Sequence, residues 1–468
     1  MHTLRSSVDL YQYEVVERLI RKGSEKLEIS TKTLQLTIAE LTQVLEDYRI
    51  TQLKVQQPIQ PKERKLRPVQ REEAIKFLSS PDLLNRSNDL IGQTGVVGEA
   101  TNRLLMYLIF TSRLREHPLH IMSLGSSGTG KTYLQEKIAQ LIPEKDKIEI
   151  TTLSENALYY FERQELKNKL VLIEDLDGAK DDKILYAIRE LMSKKKISKT
   201  IPLKDSKGNF KTITLSVEGP ISLAGTTTRE KLYEDNANRS ILIYLDNSKA
   251  HKGQIMDYQR RLSAGKINTR QEEEVKEFFK AIQSILKPIF VKNPYATQLS
   301  IPDSVFKPLR TNSHYLNFIE IITFYKQYQR EIKIDSVTGV TYIETTLEDI
   351  QEANRLLKEV LLAKSDELTK GCRTFLEQIK SYLFEAKKLS FFSSDIRQWI
   401  RMNPYNMRYY LAQLVQYGYL KIIGGNRYKQ GIEYEITGYG DYTTLNKQVI
   451  NTLDVAFDQL HKPVDKSG

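Results

Sequence analysis

The segment Gly125–Thr132 reads GSSGTGKT and follows the apolar run PLHIMSL. This G-x-x-x-x-G-K-[ST] spacing needs a backbone that turns its N–H groups toward one point, a path that glycine permits and other residues resist. The apolar strand before it and the helical pattern YLQEKIAQLI after it supply a strand–loop–helix context. There a phosphate meets both loop amides and a helix N-terminus. In this reading Gly125, Ser126, Ser127, Gly128, Thr129 and Gly130 form the cradle, Lys131 reaches the β- and γ-phosphates, and the Thr132 hydroxyl ligates Mg²⁺. Tyr133 completes the candidate nucleotide-binding set. ATP and Mg²⁺ are the expected cofactors.

A hydrolytic site also needs carboxylates at a strand end, and KLVLIEDLDG supplies Glu174, Asp175 and Asp177 after the apolar run Leu170 to Ile173. Glu174 is assigned to the magnesium ion and Asp175 to activation of the attacking water. The apolar run in GPISLAGTTTRE ends at Thr226 and Thr227, whose hydroxyls are placed to contact the γ-phosphate or its water. In NANRSILIYLD, Arg239 stands just before another apolar strand. It pairs with a carboxylate, or it is an arginine finger reaching a neighbouring subunit's site.

The net charge of +11 is unevenly placed. Met192 to Thr212 carries seven lysines against Asp205 alone, and Lys370 to Ile436 carries eleven Lys/Arg against five Asp/Glu. Each segment is therefore +6, and the remainder of the chain sums to −1. Two local basic surfaces suit a polyanion, since phosphate neutralisation dominates nucleic-acid affinity. Solvated lysine-rich faces are the alternative. The candidate nucleic-acid contacts are Lys199, Lys204, Lys207 and Lys211 in the first segment, and Arg401, Arg408, Arg427 and Lys429 in the second. The second also holds Trp399, Tyr405, Tyr409 and Tyr410. The single cysteine, Cys372, excludes an internal disulfide and a Cys-based zinc finger. No apolar run reaches the ~18 residues of a membrane span, and the N-terminus lacks the apolar block of a signal peptide. The expected setting is the cytoplasm, with no membrane partner.

Residues 1–54 carry helical periodicity, with Ser30 or Thr31 as a cap, and 55–70 read as a Pro- and Lys-rich linker. From 71 to 250, strands alternate with helices, including one in SENALYYFERQ, so an α/β domain with a parallel sheet is expected, interrupted by a lysine-rich hairpin at about 196–217. A helical connecting region over 251–369 follows. Residues 370–437 read as three helices and two strands joined through Gly424 and Gly425, a winged-helix pattern, with Ser393 or Ser394 and Asn403 as caps. A tail over 438–468 ends the chain.

GSSGTGKT, LVLIEDLD, the hairpin ISKTIPLKDSKGNFKTITLSVEG and NANRSILIYLD together resemble the AAA+ ATPases, and within them the minichromosome-maintenance-like helicases. VGEATNRLLMYLIFTSRL, VEGPISLAGTTT, FVKNPYA and VDLYQYEVVERLIRKGSEKLEI are similar to the helicase portion of bacterial mobile-element and phage primase–helicases, over most of residues 8–370. The CHC2-type zinc-finger and TOPRIM primase domains that the family often carries upstream are absent from this sequence, so priming activity is not implied, and a separate primase or replication protein is a candidate partner. Such ATPases place Asp before Glu at the acidic strand end, an order reversed here. The resemblance implies a homo-oligomeric, hexameric ring that moves along DNA, with lysine-bearing hairpin tips lining the pore, and it leaves Arg310 as a candidate second sensor. Two other classes stay open: an initiator, loader or transposition regulator that assembles on DNA without unwinding it, and a defence or scaffold ATPase with a protein-binding tail.

Overall fold

The computed structural model describes residues 6–10, 13–56, 66–178, 182–204, 210–228, 239–305, 307–400, 402–426, 431–439 and 441–460. The chain divides into two compact units, Met1–Arg64 and Lys65–Gly468. The first is a pair of helices, α1 (Tyr13–Leu27) and α2 (Thr31–Gln56). Ser30 caps α2, its hydroxyl accepting the Thr33 N–H at 3.1 Å.

In the second unit, α3 (Pro68–Leu78), α4 (Leu83–Gly92) and α5 (Ala100–Thr111) precede the central sheet. Helix α5 is apolar on every side, and its residues Leu104 to Thr111 are all buried. Such a helix belongs in the middle of a core. Strand β1 (Ile121–Leu124) leads into α6 (Lys131–Ala139), and β2 (Lys147–Ile150) and β3 (Lys169–Ile173) follow. Between β2 and β3 the expected helix shrinks to one 3₁₀ turn, Ala157–Tyr160. Leu158, Tyr159 and Phe161 pack there, but the apolar pattern covers barely one turn before the polar run Glu162–Glu165.

Helix α7 (Asp182–Lys194) runs into the hairpin strands β4 (Lys196–Lys204) and β5 (Phe210–Glu218), and β6 (Ile221–Thr227) and β7 (Ile241–Tyr244) complete the set. The sheet order is β2-β3-β6-β1-β7, with every pairing parallel. All β1 and β6 side chains are buried, as expected of central parallel strands covered on both faces. Strands β4 and β5 pair only with each other, forming a separate two-stranded sheet.

Helices Lys249–Ser263, Thr269–Ile285, Pro308–Tyr325 and Leu347–Ser365 form the connecting region together with a three-stranded sheet of Phe290–Lys292, Thr341–Glu344 and Lys333–Ile334 that the helical reading missed, its strands being only two to four residues long. A buried polar knot fastens it to the sheet domain. Arg113, fully buried, donates to Gln283 at 2.6 Å and to Asp146 at 3.1 Å, while Gln283 donates to the hydroxyls of Tyr107 (2.8 Å) and Thr111 (2.7 Å).

Helices Lys370–Ala386, Ser393–Trp399 and Pro404–Gln416 pack with a three-stranded antiparallel sheet of Ser390–Phe392, Leu420–Asn426 and Gly431–Ile436. Asn403 caps the third helix by accepting the Tyr405 N–H at 2.9 Å. Ser393 and Ser394 are the first helical residues of the second and do not cap it. Gly424 and Gly425 lie inside a strand beyond a bulge and not at the turn. The reason is close approach, since a Cβ on Gly425 would sit 2.4 Å from the Gly431 carbonyl oxygen. Within the segment read as a tail, helix Asp441–Gln459 buries Val449 and Leu453 in the main core. Among the described residues no helix is long and apolar enough to cross a membrane.

Candidate functional site

The loop after β1 has φ of +143° at Gly125, +79° at Gly128 and +86° at Gly130. A Cβ on Gly128 would meet nothing within 4 Å, so its backbone angle, not space, requires glycine there. The Lys131 ammonium donates to the carbonyls of Gly125 and Ser126, both at 2.7 Å, and the Thr129 hydroxyl donates to Ser126 at 3.0 Å. Burial lowers the Lys131 pKa from its ordinary value, while the charges of Asp177 and then Asp175 oppose the shift. Thr132 stands in the first turn of α6, half-buried. The Tyr133 hydroxyl donates to the Gly95 carbonyl at 3.0 Å. Beside it opens a recess of about 460 Å³ edged by Tyr133, Lys137, Tyr258 and Leu262.

The acidic segment leaves β3 beside the threonine tip of β6, because the two strands are neighbours in parallel register, Ile173 opposite Gly225. Gly225 is needed here: a Cβ would stand 2.5 Å from Leu176 Cδ1. Leu176 packs into that space and draws the short turn Leu176–Gly178 against β6. Asp177 then accepts from the Thr227 hydroxyl at 2.5 Å, the Thr228 N–H at 2.7 Å and the Thr228 hydroxyl at 2.5 Å. The Thr226 hydroxyl donates to the Glu174 carbonyl at 2.6 Å, and Asp175 accepts the Asp177 N–H at 2.8 Å. Both threonines therefore brace the acidic turn. The carboxylates do not share one direction. Asp175 and Asp177 act on Lys131, whereas Glu174 acts on Glu136 of α6, whose carboxyl is raised by burial and then by the charges of Glu174 and Glu149.

Loop glycines, a helix N-terminus, a lysine at the loop carbonyls and two carboxylates facing it fit a nucleotide's phosphates with a divalent cation. Exchange of the neutral carbonyl acceptors for phosphate oxygens would give Lys131 stronger, charge-assisted bonds, and Thr132 and the acids Glu174, Asp175 and Asp177 supply the kind of hard oxygen donor that Mg²⁺ prefers.

Residues 68–288 match the family model described as the MTBMA_p00010 P-loop domain. This segment is similar to a P-loop domain. Over 320 residues, 66% of this chain, the sequence is 23% identical to the uncharacterized protein MTBMA_p00010 of Methanothermobacter marburgensis (strain Marburg), and the chain spans 39% of that relative's length. The parallel sheet and flanking helices fit an α/β P-loop NTPase domain, and a P-loop domain implies nucleotide binding, usually together with Mg²⁺.

Arg239 and the phosphate loop of the P-loop domain sit at opposite ends of neighbouring parallel strands. Ile121 pairs with Ile241 and Leu124 with Tyr244, so Arg239 precedes β7 while the loop follows β1. At about 3.3 Å per residue the two are separated by roughly 15–20 Å along the strands. The Arg239 Nε donates to the Ser193 hydroxyl at 2.7 Å. Arg310, in the first turn of Pro308–Tyr325, also stands away from the loop. His314, one turn on, feels the charges of both Arg310 and His120, and His120 precedes β1.

Of the basic candidates, Lys199 donates to Asn156 at 2.5 Å and lies 5.8 Å from the Tyr159 ring centre, near the base of the hairpin. Backbone register places Lys204 and Lys211 at its far end, where Lys204 pairs with Phe210 and Lys211 with Leu203. Arg408 is exposed on Pro404–Gln416, its Nε donating to the Pro404 carbonyl at 3.3 Å. Lys207, Arg401, Arg427 and Lys429 lie outside the described residues. Asp177 had no role in the sequence reading. Its signal was present: the third acid of LIEDLD, matched by the hydroxyl run TTT that ends the neighbouring strand.

Proposed function

We propose that this chain is an ATP- and Mg²⁺-dependent DNA translocase, a helicase, that works as a ring of identical subunits in the replication of a mobile element. The observation that carries the reading is the hairpin β4–β5. It stands outside the central sheet, yet it is spliced between α7, which follows the acidic turn, and β6, which ends in the threonines bound to that turn. A basic projection coupled to a nucleotide site is what a machine gripping a phosphate backbone requires. Residues 370–437 are read as a winged-helix unit, with exposed Tyr405, Trp399 and Arg408 available to DNA.

The test is ATPase stimulation by single-stranded DNA together with unwinding of a forked duplex. Wild type should show both. A Lys204→Ala/Lys207→Ala/Lys211→Ala chain should keep its basal ATPase and lose both DNA responses. A wild-type chain that hydrolyses ATP but binds DNA without unwinding it would be a switch and not a motor.

In the same reading Asp175 orients the attacking water and Asp177 holds the threonine tip in place, while Glu174 tunes the metal from the α6 side. Asp175→Asn should retain ATP and fail to hydrolyse it, Asp177→Asn should lower turnover by freeing Thr227 and Thr228, and Glu174→Gln should raise the Mg²⁺ concentration needed for half-maximal rate. Measured binding, turnover and Mg²⁺ titration separate the three. Trapped ATP in Glu174→Gln with normal turnover in Asp175→Asn reverses the roles.

A further inference from the structure

The unit Met1–Arg64 has too little core for its apolar content. Among its described residues Ile20 is the only large apolar side chain that is buried, while Leu36, Leu41, Val44, Leu45 and Tyr48 are exposed. Two helices of this size cannot stabilise themselves on one buried side chain. The exposed residues are also ordered. On α2, half-buried Leu34 and Ile38 and exposed Leu41, Leu45 and Tyr48 follow intervals of four, three, four and three, the spacing of a helix–helix seam. At about 100° per residue they fall in one stripe, with Val44 on its flank. Helix α1 covers the adjoining side: Val16 and Ile20 face Gln35, Ile38, Ala39 and Thr42 across a groove of about 320 Å³, so Ile38 lies on the edge shared with the stripe.

We propose that the α2 stripe is a self-association surface, and that its occupant is the α2 stripe of a second copy of this chain. Three features select that occupant. The alternating spacing asks for a helix with the same spacing, and a second copy carries it at equal concentration. None of the six stripe residues is charged, which removes the attraction that a nucleic-acid strand or an acidic peptide would need. The stripe, about 21 Å long at 1.5 Å per residue, has Leu41 at its midpoint, so Leu41 meets its own counterpart whether the two helices run parallel or antiparallel. Pairing buries both stripes and turns two hairpins into a four-helix bundle. This contact is independent of the nucleotide site and of any ring that the site builds.

Oxidative cross-linking of the full-length chain tests it. The natural cysteine, Cys372, is fully buried, so an introduced thiol reports cleanly against the parent. Leu41→Cys should give a disulfide-linked dimer under mild oxidation without nucleotide, and equally in an Arg239→Ala background, where turnover at a nucleotide-built interface is lost. Glu40→Cys, adjacent in sequence but about 120° around the helix from the centre of the stripe, should stay unlinked. Leu45→Glu should abolish the Leu41→Cys cross-link while the circular dichroism of the remaining fold is retained. Absence of the Leu41→Cys dimer, or equal linking from both positions, overturns the proposal. So does a Leu41→Cys dimer that forms only with ATP and is lost with Arg239→Ala, because the contact would then belong to the ring.

Discussion

Arg239→Ala chains are expected to bind ATP nearly as wild type and to turn it over up to about 10³-fold more slowly, the loss that removing a charge-stabilising finger produces. That factor corresponds to about 4 kcal/mol of transition-state stabilisation. The distinctive part of the prediction is where the arginine acts. With roughly 15–20 Å of parallel strand between Arg239 and its own phosphate loop, a guanidinium cannot serve the nucleotide in its own chain. Turnover measured beside nucleotide binding checks the split, and unchanged turnover would leave Arg239 as the partner of Ser193.

Lys131→Ala removes the cation at the loop, and loss of ATP binding or of turnover below detection is the expected result. In the wild-type chain the ammonium lies against the Gly125 and Ser126 carbonyls and faces Asp175 and Asp177. The deletion therefore also takes from Asp175 and Asp177 the cation on which both their charges act, and magnesium dependence should change along with nucleotide affinity. Normal ATPase activity in this variant would remove the nucleotide site from the loop. The two variants also test one another. A Lys131→Ala chain keeps its finger and an Arg239→Ala chain keeps its loop, so a mixture of the two inactive proteins should regain part of the activity through interfaces that join the intact halves. If mixed assemblies form, as shown by differential tagging, and stay inactive, Arg239 does not act across an interface.

Local patterns carried most of the P-loop domain. GSSGTGKT between an apolar strand and a helix, the acid-ended run LVLIED and the hydroxyl-ended run ISLAGTT each declare strand, end and polarity within ten residues, and the parallel registers set the three strand ends on one edge of the sheet. What escaped depends on contacts distant in sequence. The grip of Asp177 on Thr227 and Thr228 spans about fifty residues and rests on Gly225 giving way to Leu176, which no periodicity encodes. The helix Asp441–Gln459 was hidden for a related reason. Its stripe is narrow, with Val449, Leu453 and Ala456 buried among polar residues, and it becomes legible only against the helix Leu347–Ser365. Gly424 and Gly425 misled in the other direction, since two adjacent glycines usually mark a turn, whereas here they admit a neighbouring strand at close range.

The hairpin β4–β5 is carried on two legs that start from the same place. From the acidic turn the chain reaches one hairpin strand along α7, thirteen residues of helix, or about 20 Å. It leaves the other strand along β6, seven residues of extended chain, or about 23 Å, whose far end is bonded back to Asp177. Legs of nearly equal length that meet at one turn form a narrow triangle with the hairpin base as its short side. In the proposed motor, a shift of the acidic turn along that triangle's long axis would reach both hairpin strands alike.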